Sequence, residues 1–401
     1  VSGSILAINA GSSSLKFALF ENTPECIEAL RGEIEETGAG SHFHARDAVG
    51  NTLAEQSWPP GAKISSGGMI ELLLNFAGSH LGNGGLAAVG HRIVHGGADH
   101  IRPALVTPKV LLELEALTKL DPLHMPHNLE PLRIIAASRP GLPQIACFDT
   151  AFHHTMPPVA RNFALPRALT ESGVRRYGFH GLSFEYIAGQ LRAVAPALAA
   201  GKIIVAHLGA GASLCALDAG ASIATTTGFS VLDGLSMATR CGRIDPGVLL
   251  YLGGQGKTFG DIEDILYHRS GLLGVSGISG DIRTLLASPD PRAAEAIDMF
   301  TYNIAWESGA LASALGGLDG FVFTAGIGEH AQKIRAAVCA RLAWLGLDLD
   351  EAANAANAAN APIISAPGAK VEIRVIPTDE EAMIAQHTRS VLEENVFEGE
   401  N

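Results

Sequence analysis

Apolar residues fall along this chain in short runs broken by glycine and small polar residues, and the runs alternate between strand and helix spacing. Ile5 to Ile8 is a continuous apolar run, Asn9 to Ser14 is polar, and Leu15 to Phe20 is a second apolar run carrying Lys16. Two such runs about a short polar turn predict a β-hairpin. Ile203 to Leu217 repeats the arrangement without gaps: Ile5 falls on Ile203, Asn9 on His207, Gly11 on Gly209 and Leu19 on Leu217. The lysine is not repeated, because Leu214 takes its place. The recurrence half a chain apart predicts duplicated domains holding a nucleotide between them; two unrelated hairpins would look the same.

Between and beyond the hairpins the pattern predicts further elements. Val110, Leu111, Leu114 and Leu117 have helical spacing after Pro108, and a Pro- and His-rich loop runs from Asp121 to His127. Leu129 to Ala137 and Phe184 to Val194 read as helices, and Gln144 to Phe148 as a short strand. The longest helix begins after Pro291 and ends near Gly316. Phe321 to Thr324 is a strand, Gly326 to Gly328 a turn, and Glu329 and His330 open another helix. Glu372 to Ile376 is a strand and Glu380 to Leu392 a final helix. The Asn-Ala-Ala repeat from Ala352 to Asn360 suits an exposed helix without chemistry. Alternating strands and helices favour α/β architecture. A domain boundary falls near Asp149 to Thr155, inferred from the repeat because no linker marks it.

Composition narrows the function. With 401 residues, 47% hydrophobic and 17% charged, the chain suits two globular domains with large cores. A net charge of −13 argues against general binding to nucleic acid or an anionic membrane. The five cysteines are scattered and form no Cys-x-x-Cys, which suits reduced thiols and a cytoplasmic location. Every apolar candidate for a membrane span is interrupted, and the first residues lack a signal-like pattern.

The first hairpin offers backbone N–H groups, hydroxyls and Lys16 to a phosphate, and Asn9 at its strand end reaches toward a metal-bound water. It lacks the Gly-Lys-Ser/Thr of the Walker loop. Arg92, beside glycines, suits a carboxylate or phosphate, or a surface ion pair. Asp149 ends a strand, where α/β sites commonly lie, or caps a helix. His180 stands in Tyr177-Gly-Phe-His-Gly181 as a donor to a charged oxygen or as a structural histidine. Arg240 and Arg243 lie in a Gly-containing turn, where an arginine neutralises a transferring phosphoryl group or pairs with Asp245. Thr324 to His330 is a Gly-rich strand-to-helix turn that can pass close to an adenosine. Three acids, Asp379 to Glu381, favour a helix N-terminus by its dipole or serve Mg²⁺.

Taken in order, Asn9-Ala-Gly-Ser-Ser-Ser-Leu-Lys16, His91-Arg-Ile-Val-His-Gly-Gly97, Phe148-Asp-Thr-Ala-Phe-His153, Tyr177-Gly-Phe-His-Gly181, Thr324-Ala-Gly-Ile-Gly-Glu329 and Pro377-Thr-Asp-Glu-Glu381 resemble the acetokinase family. The resemblance implies an α/β fold of two duplicated RNase H-like domains, mixed sheets flanked by helices, around a central nucleotide cleft. The expected domains are 1–150, with the last helix of about 384–401 packed on it, and 151–383. The implied activity is acetate kinase: reversible, Mg²⁺-dependent in-line phosphoryl transfer from ATP to acetate, giving acetyl phosphate and ADP. Mn²⁺ is an alternative metal, and a homodimer is implied.

The family's roles carry over by position. Asn9 and Glu380 are implied as metal residues, with Glu381 the less favoured neighbour. Ser12, Ser14 and Lys16 would face the phosphates. Asp149, His180 and Arg240 are the implied catalytic set, and Arg92 the acyl grip. Val94, Leu123, Phe179 and Val231 would form the acyl pocket. His207, Leu208, Gly209, Ala210 and Gly211, then Asp281, Ile282 and Arg283, then Gly326, Ile327, Gly328, Glu329 and His330 would line the ATP site. Three departures stand out: Ala210 replaces an asparagine, Arg243 an acid, and Val231 a proline. The last leaves a propionate or butyrate kinase open. A non-catalytic ATP-binding switch is the alternative of another class, though it has no reason for Arg92, His180 and Arg240.

Overall fold

The computed structural model describes every residue except 1–2, 12–13, 38–39, 60–63, 82–83, 357–362 and 399–401. The chain divides into two compact units, one of residues 1–151 with 379–401 and the other of residues 152–378. Asp379 to Met383 thus group with the first unit rather than with 151–383. Ser12 and the end of the Asn-Ala-Ala repeat lie outside the described residues; Glu351–Ala356 is helical.

The first unit carries strands β1 (Ser4–Ala10), β2 (Ser14–Glu21), β3 (Glu28–Thr37), β4 (Gly40–Asp47), β5 (Thr52–Trp58), β6 (Leu86–Ile93), β7 (Ala104–Leu105) and β8 (Gln144–Phe148). They form one sheet in the order β5-β4-β3-β2-β1-β6-β8-β7. β1 to β5 are an antiparallel meander, whereas β6 and β8 run parallel to β1. One face packs Leu6, Ile8, Phe17, Leu19 and Phe43 against Ile70, Leu73 and Ala77 of helix Ser66–Ser79. That helix is N-capped by Ser65, whose Oγ accepts from Gly68 N at 3.1 Å. The other face carries helix Glu380–Glu398, against β1, β6 and β8.

Helix Met125–Ser138 begins inside the stretch expected as a loop. Pro126 in the first turn suits a helix start. Asp121 holds the entry, its Oδ1 accepting from His124 N at 3.1 Å.

The second unit carries β9 (Lys202–Leu208), β10 (Ala212–Asp218), β11 (Ala221–Thr225), β12 (Gly320–Thr324) and β13 (Glu372–Val375), in the order β11-β10-β9-β12-β13. β9, β10 and β11 are antiparallel, and β12 and β13 run parallel to β9. The order matches β3-β2-β1-β6-β8, so the units share one RNase H-like plan. Helix Pro291–Leu315, capped by Asp290 and stopped at Gly316 with φ 67°, buries Phe300, Ile304 and Leu311 on this sheet.

Two expectations change. The gapless match of the hairpins does not survive pairing: Asn9 faces Lys16, but His207 faces Ser213, one residue earlier than the alignment puts it. The second turn is one residue shorter, so Ser213 and not Leu214 occupies the place of Lys16. Nor do Glu329 and His330 open a helix. They close Ala325–His330, because Ala325, at φ 63°, turns the chain directly at the end of β12.

Candidate active site

Parallel strands align their carboxyl ends, and in the first unit three adjacent ends carry the polar residues. Asn9 is near the end of β1, Arg92 near that of β6, and Asp149 follows β8, its N–H bonded to Ile93 O at 3.0 Å. The Arg92 guanidinium donates to Asp149 Oδ2 from Nε at 3.0 Å and from Nη2 at 2.5 Å, and to Asn9 Oδ1 from Nη1 at 3.3 Å. Asn9 Nδ2 donates to Glu380 Oε2 at 2.9 Å and Glu381 Oε1 at 3.0 Å. The sequence favoured Glu380; the geometry engages both. Lys16 stands opposite Asn9 in the hairpin.

Asp149 is fully buried. Burial pushes its carboxyl above the usual range, opposed by the Arg92 charge and reinforced by Glu380. Burial and then the neighbouring Glu380 raise Glu381 likewise. Burial pulls the Arg92 guanidinium down, but the charges of Asp149, Glu380 and Glu381 outweigh it and hold it cationic. Asp149 Oδ1 is buried and accepts no hydrogen bond. That orphaned oxygen, among further carboxylate oxygens, is the donor chemistry a hard divalent cation takes. Among the described residues no group of three or more His, Cys, Asp or Glu forms a cage of its own. Mg²⁺, which usually takes one or two carboxylates with phosphates and water, requires none.

Asn128 is a residue that sequence reading missed. Its Oδ1 accepts from Val94 N at 2.8 Å and its Nδ2 donates to Ala10 O at 2.7 Å, tying the hairpin to the end of β6. Val94 is buried and Leu123 half-buried.

In the second unit, His180 is the left-handed residue, at φ 60°, that starts helix Gly181–Val194. Its Nδ1 lies 2.7 Å from Ser213 Oγ, and its ring stacks on His207 with centroids 4.3 Å apart. His207 Nδ1 in turn lies 2.8 Å from Ser183 Oγ, which lies 2.8 Å from Thr378 Oγ1. Gly211 passes close to His180: a Cβ there would come within 3.2 Å of Nε2. His153, fixed between Ser222 Oγ and the Phe179 carbonyl at 2.8 and 3.0 Å, is held neutral by burial, its pKa lowered to about 4.

Pairing brings the expected nucleotide segments together. Thr324 lies beside His207, which sets Gly326 to His330 next to the second hairpin. Ala210 O accepts from Ala238 N at 3.2 Å, and a Cβ on Gly280 would meet Ala238 O at 2.8 Å, so Asp281 to Arg283 adjoin the same turn. Asp281 and Arg283 pair with each other at 2.6 Å. Arg240 Nη1 is 3.5 Å from Val231 O. Arg176, another residue missed, anchors the loop on both sides of Val231, donating to Thr227 O at 2.7 Å and Asp233 Oδ2 at 3.0 Å. Arg335, fully buried, donates to the carbonyls of Gly328 at 3.0 Å and Glu329 at 2.8 Å. Arg243 turns to Glu307 at 3.2 Å and lies over the Trp306 ring, which accounts for where its charge goes.

A duplicated RNase H-like pair, with carboxylates and an arginine at one set of strand ends and stacked histidines at the other, defines an α/β phosphotransferase fold. The chain belongs to the acetokinase family, whose model matches residues 4–386. It is 55% identical over 388 residues to an acetate kinase of Rhodopseudomonas palustris, covering 96% of this chain and 97% of that one. An acetate kinase of Rhizobium meliloti is 46% identical over 394 residues, covering 97% and 98%. Among solved structures, a propionate kinase from Francisella tularensis superposes with a TM-score of 0.88 at 35% identity, covering 96% of this chain and 99% of that one. The Porphyromonas gingivalis acetate kinase does so with 0.84 at 35% identity, covering 97% and 99%.

Proposed function

We propose that this protein is an acetate kinase, transferring the γ-phosphoryl group of ATP reversibly to acetate. An acetate oxygen attacks the γ-phosphorus, the bond to the β–γ bridging oxygen breaks, and acetyl phosphate and ADP result. The observation that carries the reading is the Asn9–Arg92–Asp149–Glu380–Glu381 cluster in a chain so similar to named acetate kinases.

Carboxylic acids with pKa values near those of Asp and Glu are already ionised at pH 7, so the acceptor needs no general base. The task is to bring anions together, by positioning and charge neutralisation. Three of the five N–H donors of Arg92 are engaged; the acceptor carboxylate takes the others. Asn9, Glu380 and Asp149 would hold Mg²⁺, which when bound neutralises phosphate charge. Asp149 orients Arg92 and removes no proton. Lys16 and Ser14 face phosphates. His180, oriented through Ser213, and Arg240 donate to the transferring phosphoryl oxygens. His207 to Gly211, Asp281 to Arg283 and Gly326 to His330 bind the nucleotide, the last held in shape by Arg335. Val94, Leu123, Phe179 and Val231 line the acyl chain.

A homodimer and a cytoplasmic location belong to the same reading. Helix Pro246–Gly254 supports the first: the apolar sequence Pro-Gly-Val-Leu-Leu-Tyr-Leu-Gly-Gly has none of its residues buried within the chain. Five free cysteines support the second, and among the described residues no helix is long and apolar enough to cross a membrane.

The deciding experiment traps acyl phosphate as the hydroxamate from ATP and Mg²⁺, comparing acetate, propionate and butyrate by kcat/KM. Acetate is expected to lead. A longer acid in the lead would make the protein a propionate or butyrate kinase, and no product despite ATP binding would remove the kinase reading.

A further inference from the structure

Helix Glu380–Glu398 lies in a shallow trough on its face of the first sheet. Gly90, Ala7 and Ala18 are cross-strand neighbours on β6, β1 and β2, and all three are small. The next residue of that row, on β3, is Arg31. It breaks the pattern: a long cation where the others are glycine and alanine. Its Nη2 donates to Asp379 Oδ2, and its Nε donates to Glu28 Oε1 at 2.8 Å.

Asp379 is the residue before the helix. Its other carboxylate oxygen, Oδ1, accepts from Ala382 N at 2.9 Å, capping the first turn. One carboxylate is therefore shared between the cap and an anchor on the sheet. The next two residues are Glu380 and Glu381, both bonded to Asn9. In an α-helix each residue advances the direction of its side chain by about 100°. A small rotation or axial slip of the helix start would carry both glutamates away from Asn9. The trough fixes the depth of the helix, since a Cβ on Gly90 would lie 2.1 Å from Thr388 Oγ1. The small residues supply no polar anchor against rotation; the Arg31–Asp379 pair does.

We propose that Arg31 is a positioning residue for the phosphoryl-transfer site: through Asp379 it fixes the start of the C-terminal helix, and so sets where Glu380 presents its oxygens to the divalent cation and where Glu381 holds Asn9. The inference rests on the metal reading given above. It concerns Arg31, which no motif of the sequence marks.

The test is Mn²⁺ binding by electron paramagnetic resonance, in the presence of ADP and without turnover, beside the Mg²⁺ activation curve. Loss of a side chain that orients metal ligands typically weakens metal binding by 10- to 100-fold. Arg31→Ala is expected to weaken Mn²⁺ about tenfold and to raise the Mg²⁺ needed for half-activity in parallel, leaving the acetate KM near wild type. Arg31→Lys should restore part of the loss. Asp379→Asn should reproduce it, and the double variant should be no worse than either single one, as for two groups acting as a unit. Wild-type Mn²⁺ affinity in Arg31→Ala, or effects that multiply in the double variant, would overturn the proposal. If Arg31→Ala does not fold, Arg31→Lys and Asp379→Asn decide alone: wild-type affinity in both rejects it. Glu380→Gln is the separate control. Unchanged Mn²⁺ binding there removes the metal reading itself, and the proposal with it.

Discussion

Asp149 shows how much one buried carboxylate is asked to do. Fully enclosed, it holds two N–H groups of Arg92 on one oxygen and leaves the other without a hydrogen bond. Asp149→Asn keeps the shape and removes the charge. Its kcat is expected to fall about 10²- to 10³-fold, the range for losing one electrostatic contact in a transition state, with the acetate KM little changed. Both variants leave the buried Arg92 charge without its partner, a loss that typically costs about 3–5 kcal/mol, so Tm should fall in both, and further in Asp149→Ala, which also loses the group that fills the space beside Arg92. A preserved kcat with a large rise in acetate KM would instead assign Asp149 to acceptor binding. Asp149, Arg92 and Asn9 were legible because each stands in a dense motif of small residues. Asn128, Ser213 and Arg335 were not. Their significance lies in partners reached through folding, such as Ala10 O for Asn128, and nothing adjacent in sequence signals such a bond.

At the scale of elements, alternation and caps carried most of the fold: the strands near Gln144 and Phe321 and the long helix after Pro291 stand where periodicity put them. Register was the part that pattern could not supply. Two hairpins with matched sequences pair one residue apart because the turns differ in length, and turn length sets register. Close approach was equally hidden. Gly90 reads as an ordinary strand glycine, yet a Cβ there would lie 2.1 Å from Thr388 Oγ1 and 2.6 Å from Ile384 Cγ2. Gly90→Ala should therefore push the C-terminal helix off the sheet, costing about 1–3 kcal/mol as overpacking does and reducing kcat with it. Thr388→Ala in the same chain removes the nearest atom and should return part of the loss. Thermal unfolding and steady-state rates check both, and a wild-type Tm for Gly90→Ala would refute the argument.

For the whole molecule, the unburied apolar helix Pro246–Gly254 carries the assembly prediction. Leu250 is 79% and Tyr251 65% exposed in the single chain. If this surface joins two copies, Leu250→Glu should weaken the dimer by about 2 kcal/mol or more, the scale of an interface hot spot, and sedimentation equilibrium should show dissociation. A monomeric wild type, or an unaffected dimer in Leu250→Glu, would exclude that surface.

The first unit is assembled from both ends of the chain, with the whole second unit inserted between them. During synthesis, residues 152–378 are complete before Glu380 leaves the ribosome. The strands of the first sheet all emerge well before that helix, so one face of the sheet stays uncovered until the helix follows. A nascent or C-terminally clipped chain would keep Asn9, Arg92 and Asp149 but lack the two glutamates that meet them. On the reading proposed above, losing the segment that begins at Asp379 would uncover one face of the sheet and dismantle the phosphoryl-transfer site in the same event.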